Sequence, residues 1–348
     1  MKAHHIALLP GDGIGSDVVT AGVRVLREVE SRRKDAKFEF EGFSVGATEY
    51  LKSGDPLPPA VLERLQGFDA ILLGAMGLPG VRWPSGVEIA PQLDLREQLD
   101  LYCGLRPIYL FHPDDSPLRG HPAGSIDFLL VRESTEGLFS SRKNVPDLQA
   151  DCVEDTLRIT RRGAERVIRA AFREAMRRRR RVALIDKANV LPSMAFFRQV
   201  FCGIATEFPE VRTECVYVDA AALYLLQRPE SFDVLVTENM FGDILSDLAA
   251  GLVGGMGMAP SADIGDRYAV FQPAHGSAPD IAGKGIANPV ATILSFAMML
   301  DWLGMADGSE MIRAAVRTVF SDRKARTRDM GGNLTTTEMT ETIISALP

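Results

Sequence analysis

Short apolar runs alternate with amphipathic stretches along most of the chain. The run at residues 5–9 predicts a first strand and ends in a glycine-rich turn. After that turn, the apolar residues that recur at helical spacing are Val18, Val19, Val23, Leu26 and Val29. A longer helical pattern covers residues 162–178, and further strands are predicted at residues 37–43, 70–73, 126–131, 182–185, 211–218 and 234–237. This alternation indicates an α/β protein with a mixed, largely parallel sheet.

The composition excludes several classes of protein. Of the 348 residues, 46% are hydrophobic, which is enough for a substantial core and too much for a disordered chain. The net charge of -7 would repel nucleic acid and anionic membranes, so we expect neither as a partner. The longest apolar stretch, residues 290–300, is shorter than the roughly 20 residues that cross a bilayer. It predicts a buried helix.

The cysteines and the amino terminus predict a cytoplasmic protein. Four cysteines lie far apart without the paired spacing of a metal site or a disulfide framework, which is typical of reduced thiols. The first apolar run is too short for the core of a signal peptide.

Two conspicuous motifs each have a structural and a functional explanation. Five consecutive arginines at residues 177–181 follow a helical pattern, and stabilisation of a helix carboxyl end is favoured over a nucleic-acid site. The turn at residues 11–15 has the spacing GxGxG followed by Ser16, which fails the Rossmann fingerprint GxGxxG. A tight turn between a strand and a helix is favoured there, and a cofactor-binding loop is the alternative.

Three arginines are candidates for binding a substrate. Arg96 and Arg106 are ten residues apart, and Arg132 follows the strand predicted at residues 126–131. A guanidinium group binds a carboxylate through two parallel hydrogen bonds, so three converging arginines would hold a dicarboxylate firmly. Each arginine alone is more typical of a surface ion pair, so the prediction depends on their convergence.

Candidate metal ligands and a candidate base lie in the second half of the chain. Asp243 and Asp247 occupy positions i and i+4 of a predicted helix, and such paired carboxylates suit Mg²⁺ or Mn²⁺. A role at the helix end is an equally good explanation of the pair. Asp219, after a predicted strand, is a possible third ligand. Lys187 follows another strand and is a candidate general base, with a solvated lysine as the alternative. The apolar residues expected on the other face of the helix are Ile244, Leu245, Leu248 and Leu252.

Six segments, in order and over nearly the whole chain, resemble the isopropylmalate, isocitrate and tartrate dehydrogenases, which are β-decarboxylating enzymes. The segments are LLPGDGIG, LRxxLDLxxxLRP, VRESTEG, DKANVL, FGDILSDLAAGL and HGSAPDIAGKGIANP. The resemblance is strongest to enzymes acting on 3-isopropylmalate or on tartrate and D-malate. It implies a dimer of two-domain subunits on a non-Rossmann α/β fold. The cofactor-side domain would comprise residues 1–101 and 254–348, and the smaller domain for dimerisation, metal and substrate would comprise residues 102–253.

The resemblance also implies roles for the candidate residues. The three arginines would bind the carboxylates of a malate-type 2-hydroxy acid. Asp243 and Asp247, with Asp219 from a second subunit, would hold Mg²⁺ or Mn²⁺, and Lys187 from that subunit would help to remove the hydroxyl proton. Hydride would pass from C2 of the substrate to NAD, after which the β-carboxylate could leave as CO2.

A loop near the carboxyl-terminal third is assigned to NAD by the same resemblance. Its residues are His275, Gly276, Ser277, Ala278, Asp280, Ile281 and Asn288. The carboxylate of Asp280 would accept hydrogen bonds from ribose hydroxyls and repel a 2'-phosphate, which favours NAD over NADP. Asn288 would contact the adenine.

Two positions depart from the family pattern. Phe139 stands where related enzymes have a tyrosine that donates a proton after decarboxylation, so oxidation is the more secure half of the predicted reaction. Gln272 stands where many relatives have glutamate. Substrate choice would be set by Ile89, Gln92 and Leu93, which leave 3-isopropylmalate and tartrate or D-malate open. The alternative function is a catalytically idle or regulatory subunit that binds ligand without turnover.

Overall fold

Residues 2–147 and 149–348 are described by a computed structural model, in which they form an α/β fold around a ten-stranded sheet. The strands are β1 (Lys2–Gly11), β2 (Ala36–Gly42), β3 (Ala70–Ala75), β4 (Cys103–Tyr109), β5 (Asp127–Glu133), β6 (Arg181–Asp186), β7 (Arg212–Tyr217), β8 (Val234–Thr237), β9 (Pro260–Ile264) and β10 (Ala269–Pro273). Their order in the sheet is β2-β1-β3-β10-β9-β4-β5-β8-β6-β7. The pairs β10–β9, β9–β4 and β4–β5 are antiparallel and the other pairs are parallel, which confirms the predicted mixed sheet.

Helices cover both faces of this sheet. They are α1 (Gly15–Arg33), α2 (Ala47–Ser53), α3 (Pro59–Leu65), α4 (Pro91–Gln98), α5 (Arg161–Met176), α6 (Pro192–Ala205), α7 (Val218–Gln227), α8 (Asn239–Gly251), α9 (Val290–Trp302), α10 (Ala306–Phe320) and α11 (Thr336–Ala346). The helix predicted at residues 162–178 is α5, and the predicted buried helix is α9, in which residues 290–300 are all buried. Across the described residues, the helices are too short or too polar to cross a membrane.

The buried apolar residues form clusters that separate into two sets. One set takes its members from residues 6–101 and 258–347, and the other takes them from residues 102–253. In the second set, α5 and α6 cover one face of the sheet, and α7 and α8 cover the opposite face. Two separate sets of clusters are what a two-domain chain would show, and the boundaries given above stay a prediction.

Three strands, β4, β9 and β10, lie outside the runs that the apolar pattern predicts. Each contains a polar residue or a proline in its interior or at its end, such as Arg106 and Pro107 in β4 and Asp263 in β9. They form the antiparallel centre of the sheet and connect the parallel strands on either side. The polar residues that obscured these strands belong to the candidate site.

Candidate active site

Three arginines that are scattered in sequence converge in space. Arg96 lies on α4, Arg106 on β4 and Arg132 on β5. Ile108 and Leu130, two residues away on the same two strands, pack in the cluster under α7 and α8. Because strand side chains alternate between faces, Arg106 and Arg132 project from that same face. All three arginines are buried and line one cleft of about 250 Å³.

The guanidinium groups in this cleft keep hydrogen-bond donors without a partner. Among the described residues, these donors are Nε of Arg96, Nε and Nη1 of Arg106 and Nη2 of Arg132. Burial lowers the pKa of Arg106, and burial together with the charge of Arg96 lowers the pKa of Arg132 to about 10. With a pKa of about 10, Arg132 is still cationic at neutral pH, and Arg106 is cationic because a guanidinium group keeps its proton in proteins. Buried donors and charges without partners are costly, so the cleft is suited to an anion that has several acceptor oxygens.

A buried carboxylate, which the sequence analysis did not identify, lies among the three arginines. Asp263 on β9 is fully buried, with Oδ2 3.1 Å from Nη2 of Arg96, and Nε2 of Gln272 donates to the same oxygen at 2.6 Å. Gly104 pairs with Asp263 across the sheet, and a side chain there would meet the carboxylate. A single charged residue inside the otherwise uncharged segment 258–264 was the available signal.

The charge state of Asp263 follows from these neighbours. Burial alone would raise the pKa of its carboxyl group, but the charges of Arg96, Arg106 and Arg132 outweigh burial and hold that pKa below its ordinary value. The hydrogen bond from Gln272 acts in the same direction. Asp263 is therefore an anion at neutral pH, and it compensates part of the arginine charge.

The residues predicted to set substrate choice divide into two groups. Gln92 and Leu93 on α4 line the cleft, and Oε1 of Gln92 is buried without a partner in the described chain. Phe139 also lines it, with its ring 5.2 Å from Cζ of Arg132, a cation–π contact. Ile89 is fully buried and does not line the cleft, so a direct substrate contact by Ile89 has no support in this geometry.

Of the three predicted metal ligands, Asp243 lines the cleft and Asp247 lies one turn further along the same helix. Asp243 and Asp247 are both on α8, and the Asp243 carboxylate accepts a hydrogen bond from Arg132. Burial and the neighbouring charge of Asp243 raise the pKa of Asp247. An added cation would relieve this repulsion between the two carboxylates. The helix face differs from the expectation at Ile244, which is 59% exposed, whereas Leu245 and Leu252 are buried.

Lys187 and Asp219 contact each other instead of the cleft of their own chain. Nζ of Lys187 is 2.6 Å from Oδ1 of Asp219, and this hydrogen bond lowers the pKa of the Asp219 carboxyl group. Neither residue is part of the cleft lining. In the described part of one chain, no three acidic, histidine or cysteine side chains come together as a metal site. A centre with three aspartates would therefore require a second copy of the chain.

The loop assigned to the cofactor packs against the glycine-rich turn. The backbone N–H of Ile14 donates to the Ser277 carbonyl oxygen at 2.8 Å, and the Ser277 hydroxyl donates to the Gly77 carbonyl. Gly13 has φ +55°, and a Cβ there would lie 1.9 Å from the Ser277 oxygen. Ala278 and Ile281 pack against Ile14 in a small apolar cluster. The tight-turn explanation therefore holds for residues 11–15, and the turn also supports the loop.

The remaining loop residues differ in how accessible they are. His275 and Gly276 line the same cleft as the three arginines, and burial lowers the pKa of His275. Asp280 is exposed, so its carboxylate is free to meet a ligand. Asn288 is buried, and its amide already donates to Asp329 and accepts from the backbone of Val290. The adenine contact through Asn288 stays a prediction.

Known proteins resemble this chain over nearly its whole length. The family model for isocitrate/isopropylmalate dehydrogenase matches residues 5–343. The chain is 44% identical to a 3-isopropylmalate dehydrogenase of Frankia casuarinae, over 94% of this chain and 98% of that protein. It is 42% identical to an isocitrate/homoisocitrate dehydrogenase of Thermus thermophilus, over 99% of both chains. The crystal structure of an isocitrate dehydrogenase from Methylococcus capsulatus superposes with a TM-score of 0.89 at 36% identity over 99% of both chains. The chain belongs to the isocitrate/isopropylmalate dehydrogenase family, and it has the α/β fold of that family.

Proposed function

We propose that the protein catalyses the NAD-dependent and Mg²⁺- or Mn²⁺-dependent oxidative decarboxylation of a malate-type 2-hydroxy acid. The observation that carries this proposal is the convergence of three buried arginines with unpartnered donors on one cleft. The names of relatives such as the Frankia enzyme support 3-isopropylmalate as the first substrate to test. Tartrate and D-malate are the other malate-type candidates.

The residues of this chain would bind and orient the substrate. Arg106 and Arg132 offer free donors to carboxylate oxygens, and Leu93 lies in the same cleft, where it could pack against an alkyl substituent. Lys187 from a second copy would take the proton of the substrate hydroxyl. Phe139 lies beside Arg132 and has no proton to donate, so the proton that follows decarboxylation must come from another group or from water. When bound, the cation supplies Lewis acidity and NAD accepts the hydride.

The donor set suits the proposed cation and dinucleotide. Asp243 and Asp247 bring two carboxylates together on one helix, and hard oxygen ligands are those that Mg²⁺ and Mn²⁺ prefer. The exposed carboxylate of Asp280 would favour NAD over NADP, because it repels a 2'-phosphate. The buried Nε2 of His275 has no partner in the described chain, so a donor or acceptor is available beside this loop.

A homodimer with shared active sites is part of this proposal. Lys187 and Asp219 lie outside the cleft of their own chain, so they would act in the cleft of a second copy. Large apolar side chains are exposed near both residues and on the neighbouring helices, namely Val190, Leu223, Leu226 and Ile244. Exposed apolar groups of this size favour a protein partner, and a second copy would cover them. A cytoplasmic location stays a prediction.

The test is NADH formation with Mn²⁺ across 3-isopropylmalate, D-malate, tartrate and isocitrate, with simultaneous detection of CO2. We expect NADH from at least one malate-type acid, loss of the activity with EDTA, and weaker activity with NADP. Absence of NADH from every acid, with binding of the same acids retained in calorimetry, would instead support the idle or regulatory subunit. The Lys187→Gln variant is the control for background reduction of NAD.

The decarboxylation half can be tested separately at Phe139. A tyrosine there would supply a hydroxyl group beside Arg132. We expect Phe139→Tyr to raise the ratio of CO2 released to NADH formed. An unchanged ratio would show that another donor already serves this step.

A further inference from the structure

We propose that Asp263 is a specificity-determining residue that adjusts the charge of the cleft to a dicarboxylate dianion and disfavours a tricarboxylate trianion. This inference rests on the proposed function, because it concerns the substrate class of the same site. Both classes of acid occur as substrates in the names of related proteins, so the sequence relationship alone leaves the choice between them open.

The charge balance is the first argument. Three buried guanidinium groups and one buried carboxylate leave two net positive charges at the base of the cleft. The charges of Asp243 and Asp247 on α8 would be neutralised by a divalent cation, and Lys187 and Asp219 neutralise each other by their contact. A dianion therefore matches the remaining charge, whereas a trianion would bring one carboxylate without a compensating cation.

The geometry of the arginines is the second argument. Oδ2 of Asp263 lies 3.1 Å from Nη2 of Arg96, and Asp243 accepts a hydrogen bond from Arg132, so two of the three guanidinium groups are partly engaged from within the protein. Among the described residues, four guanidinium nitrogens still have no partner, namely Nε of Arg96, Nε and Nη1 of Arg106 and Nη2 of Arg132. Four donors suit the four oxygens of two carboxylates, and burying an unmatched third carboxylate would be costly.

The position of Asp263 makes this charge a fixed part of the cleft. The carboxylate is fully buried and receives a hydrogen bond from Gln272 at 2.6 Å. A Cβ at Gly104, which pairs with Asp263 on the neighbouring strand, would lie 3.2 Å from Oδ1 of Asp263 and 2.6 Å from the Ser134 hydroxyl, so a side chain there would crowd the carboxylate. Solvent therefore cannot screen the charge, and an interaction with substrate would be strong at this depth.

The experiment compares the binding of 3-isopropylmalate and isocitrate by calorimetry with Mn²⁺ and without NAD. We expect the wild-type protein to bind the dicarboxylate at least about tenfold more tightly, because burying an unmatched charge is costly. Asp263→Asn preserves the shape of the side chain and removes the charge. It should reduce the preference by about tenfold or more, mainly through tighter binding of isocitrate.

Two further variants control this experiment. Asp266→Asn makes the same chemical change three residues away, at a carboxylate that accepts a hydrogen bond from Tyr102, and it should leave the preference unchanged. Asp263→Glu keeps the charge and should keep the preference. An unchanged preference in a folded Asp263→Asn protein overturns the inference. If Asp263→Asn does not fold, the wild-type protein decides, because equal affinity for the two acids also overturns it.

Turnover separates this inference from the proposed function. NADH formation from a dicarboxylate together with an unchanged preference in Asp263→Asn would retain the proposed function and reject the role of Asp263. Absence of NADH from all acids, with the expected change of binding preference, would reject the proposed function and retain the role of Asp263.

Discussion

Two groups of arginines differ in how their spacing in the sequence relates to their positions in the fold. Residues 177–181 are consecutive, yet they spread around the end of α5, and Arg178 contacts Asp127 at 2.7 Å and buried Asp233 at 2.9 Å. Arg177 pairs with Glu174 at the surface. The three cleft arginines are distant in sequence, converge on one space and keep free donors. A candidate binding site is therefore marked by arginines that converge and keep unpaired donors. A high density of arginines in the sequence does not mark one, because such arginines can pair with carboxylates of the fold.

Pairing with carboxylates explains why the consecutive arginines stabilise the fold. Asp233 lies at the start of β8 and is buried, so its charge requires a partner. Arg178 supplies that partner, and the backbone N–H of Arg181 donates to the other carboxylate oxygen. This arrangement joins the end of α5 to the beginning of three strands. The favoured structural explanation of the motif thus gains a specific mechanism.

The largest effect is expected from Arg106→Gln in the cleft. It should lower kcat/KM by about 100-fold or more, because truncating a buried charge contact costs roughly 2–5 kcal/mol. Arg106→Lys keeps a charge but not the planar pair of donors, so it should retain only part of the activity. Steady-state kinetics over a range of substrate concentrations measures both. A loss smaller than threefold in Arg106→Gln would place Arg106 outside the substrate contacts.

A mixing experiment tests whether this cleft is completed by a second copy. Lys187→Gln and Arg106→Gln homodimers should each be nearly inactive. After co-refolding, about half of the dimers are hybrids with one intact site each, so about a quarter of wild-type activity should return. If Lys187 instead served the cleft of its own chain, every site would remain defective and no activity would return.

A smaller effect of a different kind is expected from Arg178→Gln at the end of α5. Removing the nearest cation from buried Asp233 should lower the free energy of unfolding by about 2–3 kcal/mol, because its carboxylate would keep only the Arg181 N–H and the Arg179 guanidinium group, 3.9 Å away. The value of kcat/KM for the folded enzyme should be unchanged. Urea unfolding and kinetics on the same preparation measure the two quantities. If Arg178→Gln lost activity and kept its stability, the distinction between structural arginines and cleft arginines would be wrong.

The smallest effect is expected from Arg177→Gln, which is the matched control for Arg178→Gln. The Arg177 side chain is 75% exposed and contacts Glu174 within the same helix. Exposed pairs of this kind contribute little to stability. The urea midpoint should therefore be the same as that of the wild type within error. A destabilisation as large as that of Arg178→Gln would show that the whole arginine run, and not Arg178 alone, stabilises the fold.

Several of the parallel strands were predictable from the sequence because most of their residues form an apolar run, as in β3, β6 and β8. The strands β4, β9 and β10 were not, because Arg106, Asp263 and Gln272 break the apolar pattern. In our proposal, these polar residues belong to the site that binds the substrate. Local sequence has no information on strand order, and strand order is what brings β4 next to β9.

Most residues of the candidate site could be predicted from the sequence, but their arrangement in space could not. The three arginines were identified as candidates, whereas their convergence depends on contacts between distant segments. The sequence analysis did not identify Asp263 because a single acid in a mostly apolar strand belongs to no recognisable motif. The position of Lys187 and Asp219 outside the cleft follows from how α7 and β6 lie in the fold.

The contact between Gly13 and Ser277 has a consequence for ligand recognition. A methyl group at residue 13 would collide with the carbonyl oxygen of residue 277, so the two segments touch through bare backbone. The loop is therefore held in place without a ligand, and binding of the proposed dinucleotide would involve little loss of loop entropy. Discrimination between dinucleotides would then come from a preformed surface and not from a rearrangement of the chain.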